Sequence, residues 1–188
     1  MGKLVVTEFI SLDGVMEDPG GAEQFAHGGW TRPYWTDDIG KFKFDELFAI
    51  DALLLGRVTY QGFAAAWPSM KDEAGFADRM NSLPKYVVSK TLDEIGWNNS
   101  RLIKGDIVEE VSSLKRQPGQ DILIGGSGML VRTLMRHGLI DEYRLLVYPV
   151  VLGSGKRLFA DGVEPTRLTL VESKQSGAVA ILTLRRER

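Results

Sequence analysis

Three glycine-rich turns, each placed directly after an apolar run, hold the residues most able to do chemistry in this chain. Ala52-Leu53-Leu54-Leu55 leads into Gly56-Arg57-Val58-Thr59, and Asp121-Ile122-Leu123-Ile124 leads into Gly125-Gly126-Ser127-Gly128. The third run, from Leu145 to Leu152, leads into Gly153-Ser154-Gly155-Lys156-Arg157. A buried strand that ends in glycine and opens a helix presents free backbone N–H groups at the positive end of the helix dipole, which suits a phosphate. Helix-forming sequence follows two of the turns, and two carry a cation. The pattern points to a phosphorylated cofactor held along the ends of the strands.

Each motif alone is limited. Gly126-Ser127-Gly128 has Val131 where the dinucleotide fingerprint has its third glycine, so by itself it reads equally as a tight turn. Gly153-Ser154-Gly155-Lys156 imitates the end of a P-loop. It has Val150 in place of the earlier glycine and Arg157 in place of the magnesium-binding hydroxyl, which excludes a P-loop NTPase.

Composition narrows the class. At 188 residues the chain suits one domain, taken as 1–188, within the usual ~100–200 residues. A net charge of −2 gives no general attraction to nucleic acid or to an anionic membrane, whereas local cations such as Arg57 and Lys90 can still hold a small anion. No cysteine is present, so disulfides, thiolate catalysis and cysteine-ligated metals are excluded. The opening Leu4-Val5-Val6-Thr7 meets Glu8 too early for a secretory segment, and no run approaches the ~20 apolar residues of a membrane span. A cytoplasmic protein is expected.

The elements that must position these turns alternate in type. Strands are expected over Lys3–Ile10, Ala52–Leu55, Lys85–Ser89, Leu102–Ile103, Gln120–Ile124 and Asp141–Tyr148. Helices are expected over Asp37–Phe48, Val58–Ala66, Asp72–Asn81, Asp106–Lys115 and Met129–His137, the last closed by Gly138. The segments Arg167–Glu172 and Ala178–Leu184 read as a hairpin around Gln175-Ser176-Gly177. Such alternation predicts an α/β fold, its sheet largely parallel and covered on both faces, with antiparallel strands at one edge. The long stretch from Glu17 to Thr36, with Trp30, Tyr34 and Trp35, has the length of a binding loop or lid.

The block from Ile124-Gly125-Gly126-Ser127-Gly128 through Gly138-Leu139-Ile140-Asp141-Glu142 to Pro149–Phe159 resembles the C-terminal reductase domain of the bifunctional riboflavin-biosynthesis deaminase/reductase. Ser11-Leu12-Asp13-Gly14 is similar to that family as well. Gly56-Arg57-Val58-Thr59 and Val87-Val88-Ser89-Lys90 resemble segments of dihydrofolate reductase, which shares the fold. The likeness spans Lys3 to Leu184. It implies a dihydrofolate-reductase-like three-layer fold with a mixed eight-stranded sheet, the cofactor NADPH, and hydride transfer to a small nitrogen heterocycle of the pterin or pyrimidine type. It also implies a homodimer, to which the apolar final strands could contribute.

By the same resemblance, Gly56, Arg57 and Thr59 would sit at the cofactor phosphates, and Ser89 and Lys90 at the adenosine ribose and its 2′-phosphate. Gly125, Gly126, Ser127 and Gly128 would let the backbone approach the pyrophosphate and the nicotinamide ribose. The receiving heteroatom also needs a proton. Candidates are Asp13, in the turn after the first strand, and Asp38, whose spacing to Phe42 and Lys43 is similar to that in dihydrofolate reductase. Helix capping by Asp38, a turn role for Asp13 and a proton from water are the alternatives. Trp35 and Tyr148 are candidates for contact with a flat substrate, against a local hydrophobic anchor or subunit contact for Trp35 and core packing for Tyr148. With no cysteine and only His27 and His137, the chain cannot hold the deaminase zinc site, so the resemblance is to a stand-alone reductase. A non-catalytic nucleotide-binding module of the same fold is the competing reading; flavin has no sequence handle.

Overall fold

The computed structural model describes residues 2–119, 121–162 and 164–187. Eight strands form one sheet: β1 (Leu4–Ser11), β2 (Ile50–Gly56), β3 (Lys85–Val88), β4 (Ser100–Ile103), β5 (Asp121–Gly125), β6 (Glu142–Tyr148), β7 (Leu168–Ser176) and β8 (Val179–Arg186). Their order across the sheet is β4-β3-β2-β5-β1-β6-β8-β7. Neighbours from β4 to β6 pair in parallel, whereas β8 pairs antiparallel with both β6 and β7. Five α-helices occur among the described residues: α1 (Asp37–Phe48), α2 (Arg57–Ala66), α3 (Phe76–Ser82), α4 (Ile107–Arg116) and α5 (Gly128–Arg136). This is the three-layer, dihydrofolate-reductase-like arrangement that the resemblance implies, with the C-terminal hairpin at one edge.

Side chains of a strand alternate between faces, and the core divides accordingly. Leu4, Val6 and Ile10 of β1 pack with Val111 and Leu114 of α4 and Leu130, Val131 and Leu134 of α5. Val5, the residue between, packs on the other face with Leu47 of α1, Tyr60 of α2 and Met80 of α3. A third cluster, including Trp30, Ile39 and Tyr148, lies under the start of α1.

Element ends differ from the sequence reading where side chains take over backbone work. α3 starts at Phe76 rather than Asp72, because the Asp72 carboxylate accepts the amides of Phe76 and Ala77 at 2.9 and 2.7 Å ahead of the helix. α1 is capped by Thr36, whose hydroxyl accepts the Ile39 amide at 3.2 Å. The hairpin strands run longer than expected because the register from Leu168 to Arg186 is continuous apart from one shift near Val171. Gln120, the expected first residue of the fifth strand, lies outside the described residues.

The stretch from Glu17 to Thr36 is tied down rather than open. Asp18 is buried and accepts the amides of Ala22 and Phe25, while the Trp30 indole donates to the Glu17 carbonyl at 2.9 Å.

Candidate functional site

β2 and β5 are adjacent parallel strands, yet their helices leave to opposite faces. Tyr60 of α2 packs in the core cluster of one face, and Leu130, Val131 and Leu134 of α5 pack in that of the other. A sheet that switches direction in this way leaves a crevice outside the carboxyl ends of its strands, the usual ligand position in open α/β sheets. Both glycine turns border that crevice. Neither α2 nor α5 has a side-chain cap, so each presents first-turn amides that no cap satisfies.

Ser127 joins the two turns. It adopts φ +62°, and its hydroxyl accepts the Gly56 amide at 2.8 Å and donates to Thr59 Oγ1 at 3.0 Å. The approach is close enough that a Cβ on Gly126 would stand 2.9 Å from Thr59 Oγ1. Thus Gly56, Thr59, Gly125, Gly126, Ser127 and Gly128 converge in space, although they come from turns about seventy residues apart. Arg57 is exposed at the start of α2, and neither it nor the exposed Lys90 makes a side-chain hydrogen bond or ion pair among the described residues. Ser89 is buried, and its hydroxyl accepts the amides of Thr91 and Leu92 at 3.2 and 3.0 Å, which shapes the turn that carries Lys90.

The third glycine turn does something else. Its amides at Leu152 and Gly153 are taken by the Asp13 carboxylate at 3.1 and 2.9 Å, and the segment bridges back through Val15 and Arg157. Among the described residues no helix follows it, so it is a clasp between loops and no phosphate cradle. The same bonds decide the state of Asp13. Its carboxylate accepts the Ser11 hydroxyl at 2.7 Å as well as those two amides, which holds its pKa well below the usual carboxylate range. An acid stabilised in its ionised form is a poor proton donor, which corrects the expectation for Asp13.

Helical periodicity corrects Asp38. Asp38, Lys41, Phe42 and Asp45 form one stripe of α1, and with Lys174 and Gln175 they line a hollow of about 410 Å³ against the hairpin. The stripe of α1 that meets β1 carries Ile39, Lys43 and Glu46 instead. Tyr148 ends β6, and its hydroxyl has no hydrogen-bond partner among the described residues. It is fully buried, with its ring at the centre of edge contacts from Phe9, Trp30 and Tyr34, and burial pushes its phenol up to about 12. Trp35 is 51 % exposed, and its ring meets that of Phe9 edge to face with centroids 6.2 Å apart. A larger hollow of about 750 Å³, lined by Tyr60, Gln61, Ala64 and Trp97, follows α2 and includes none of the glycine-turn residues.

The structure adds charged groups that motif reading passed over. Lys43 donates to Thr7 Oγ1 at 2.8 Å, lies 5.5 Å from the Phe9 ring centroid, and pairs with Glu46. Glu46 continues the chain to Arg144 at 3.3 Å, and Arg144 to Glu142 at 2.9 Å. Thr7 stands opposite Gly125 in the β1–β5 register, so Lys43 is directed at the base of the glycine turn. Glu8 follows. It is buried, one of its carboxyl oxygens has no hydrogen-bond partner, and it feels the Gly126 amide. Desolvation raises its pKa to about 8, against the opposing pull of Lys43. The only sequence signal for it was a lone carboxylate inside an apolar strand.

Residues 2–182 match the family described as the RibD C-terminal domain. The chain belongs to that family. A curated family relative, the uncharacterised protein YyaP of Bacillus subtilis (strain 168), is 34 % identical over 185 residues, which cover 96 % of this chain and 93 % of YyaP. Among solved structures, a pyrimidine reductase-like protein of Corynebacterium diphtheriae shares 13 % identity with a TM-score of 0.69, covering 100 % of this chain and 92 % of the other. A dihydrofolate reductase of Enterococcus faecalis, complexed with NADP(H), shares 17 % identity with a TM-score of 0.58, covering 100 % and 98 %. Both likenesses are of fold. Among the described residues no helix is long and apolar enough to cross a membrane.

Proposed function

We propose that the protein is an NADPH-dependent reductase, a single domain over residues 1–188, that transfers hydride to a small nitrogen heterocycle of the pterin or pyrimidine type. The observation that carries this reading is the meeting of two uncapped helix starts, α2 and α5, at adjacent strands of the switch point, locked together by Ser127. The residues there fit a dinucleotide. The glycines let the turns approach one another closely: a Cβ at 126 would stand 2.9 Å from Thr59 Oγ1, and one at 128 would stand 2.9 Å from Met16 Sδ. Arg57 and Lys90 supply free cations for phosphate, with Lys90 on the turn set by Ser89. The bound dihydronicotinamide supplies the hydride. Thr7, Phe9, Trp35 and Lys43 form a polar and aromatic wall between α1 and β1, suited to a flat heterocycle with hydrogen-bonding edges.

The solved dihydrofolate reductase of the same fold is complexed with NADP(H), which supports the cofactor, and the pyrimidine reductase-like structure supports the substrate class. Thermal unfolding with NADPH and with NADH tests the reading. A nucleotide at ~100 times its Kd stabilises by ~2.7 kcal/mol, and NADPH is expected to shift the transition more than NADH. Absence of a shift with both would overturn it.

The protein is further proposed to form a homodimer through β7. This outermost strand exposes Leu170 and Val171 at 55 % and 45 %, and an uncovered apolar edge strand invites pairing. Sedimentation equilibrium should give twice the chain mass, reduced to the chain mass by Leu170→Glu with Val171→Lys.

A further inference from the structure

The carboxyl group of Glu8 has no part in holding the fold that its surroundings explain. By strand alternation it points to the α4–α5 face, between Val6 and Ile10, whose side chains belong to the apolar cluster there. It is 6 % exposed. Its register neighbour on β6 is Leu145, which offers no polar group in return. On the β5 side, β1 has already passed the end of the paired strand, since the last pair is Thr7 with Gly125. Glu8 therefore lies one residue beyond the start of the Gly125–Gly128 turn, with the Gly126 amide acting on one side of it. The charged groups that reach it are Lys43 and Glu46, both on α1, and their effects oppose each other. Its Oε1 is buried with no hydrogen-bond partner.

A buried carboxylate with an empty oxygen is costly, whereas a neutral acid is not. We propose that Glu8 is a proton carrier beneath the Gly125–Gly128 turn, held as the neutral acid in the free protein and driven to release its proton when an oxidised nicotinamide binds at that turn. The proposal rests on the NADPH-binding reading of that turn. The linkage is a simple one: the Glu8 O–H bond breaks, the proton passes to bulk buffer, and the carboxylate remains beside the pyridinium charge. A reduced nicotinamide, which has no such charge, leaves the proton in place. Thr7 and Phe9 of the proposed substrate wall lie on the other face of β1, so the proton held by Glu8 is linked to the cofactor rather than handed directly to the heterocycle.

The burial direction fits, because desolvation dominates the raised affinity of Glu8 for its proton. Titration calorimetry of NADP+ and NADPH, each in two buffers of different ionisation enthalpy near pH 7, counts the protons released. The 2′-phosphate is common to both nucleotides, so its own protonation cancels in the difference. Wild type is expected to release more protons with NADP+ than with NADPH, by a large fraction of one, and Glu8→Gln to abolish the difference. A second measurement needs no variant: NADP+ affinity should rise by up to tenfold per unit from about pH 6.5 and level off above about pH 8, with NADPH affinity not following it. If both nucleotides bind and the difference is absent, or survives in a folded Glu8→Gln, Glu8 is not the carrier, while the cofactor reading stands. If neither binds, both fall.

Discussion

Ser127 Oγ accepts the Gly56 amide at 2.8 Å across the boundary between two glycine turns that the chain places seventy-one residues apart. The bond turns two separate helix starts into one rim. It uses a left-handed serine, an unusual conformation for a residue with a side chain, and the hydroxyl goes on to Thr59 at 3.0 Å. Ser127→Ala keeps the backbone strain but leaves a partly buried amide without an acceptor. The expected loss is about 1 kcal/mol, read from the urea midpoint. Binding of NADPH and NADH should weaken together, because the rim contacts neither phosphate alone. An unchanged midpoint would mean that water replaces the hydroxyl.

Arg57 and Lys90 stand at opposite ends of the proposed phosphate track, each exposed and unpaired among the described residues. Removing an exposed, unpaired cation should change stability by less than about 0.5 kcal/mol. Affinity is a different matter. A charge-assisted bond to phosphate is worth about 1.5–3 kcal/mol, so Lys90→Ala is expected to weaken NADPH by at least tenfold and NADH hardly at all. Arg57→Ala should weaken both nucleotides if it meets the shared pyrophosphate, and NADPH alone if it meets the 2′-phosphate. Fluorescence titration of the bound dihydronicotinamide measures all four combinations. Equal weakening of NADPH and NADH by Lys90→Ala would remove its 2′-phosphate role.

The framework of this site was legible in the sequence for a physical reason. Apolar runs ending in glycine mark buried strands and their turns, and the α1 bounds Asp37–Phe48 follow from Thr36 and the apolar spacing after it. What escaped were contacts between distant residues. Asp13 looked like a free acid because the amides that it accepts, at Leu152 and Gly153, lie 139 and 140 residues away. Asp38 kept the right spacing to Phe42 and Lys43, but spacing does not tell which stripe of α1 faces β1. Glu8 was hidden by its setting, where one carboxylate among valines and phenylalanine reads as strand alternation.

Burial of Glu8 also sets a pH dependence of stability. The folded protein holds this proton up to about pH 8, while an unfolded chain releases it near the ordinary value of 4.5. The folded state therefore binds more protons between those limits, and its stability falls as pH rises through them. A tenfold difference in proton affinity between the two states corresponds to about 1.4 kcal/mol, so the loss amounts to several kcal/mol once the pH exceeds 8. Glu8→Gln keeps the shape and removes the titration. Urea unfolding at pH 6 and pH 9 should show the variant overtaking wild type at the higher pH. Parallel pH profiles for the two proteins would contradict the neutral-acid state.

Lys85 gives the last prediction and concerns the entry to β3, whose far end carries Ser89 and Lys90. The lysine is fully buried, and its ammonium donates to the carbonyls of Asn81, Leu83 and Asn98 at 2.9, 2.8 and 3.0 Å. It also lies 4.1 Å from the Trp97 ring centroid, and the Trp97 indole in turn donates to Asn81 Oδ1 at 2.7 Å. Burial lowers the Lys85 pKa to about 8, yet all three ammonium protons have acceptors, so the group is tied rather than strained. Lys85→Met fills the same space and strips three carbonyls of their donor at once. The expected cost is about 3 kcal/mol in urea unfolding, beyond what a surface lysine could give. Because β3 positions Lys90, the variant should also lose NADPH selectivity over NADH at temperatures where it remains folded. If stability falls while selectivity holds, the β3 turn is anchored by its Ser89 contacts alone.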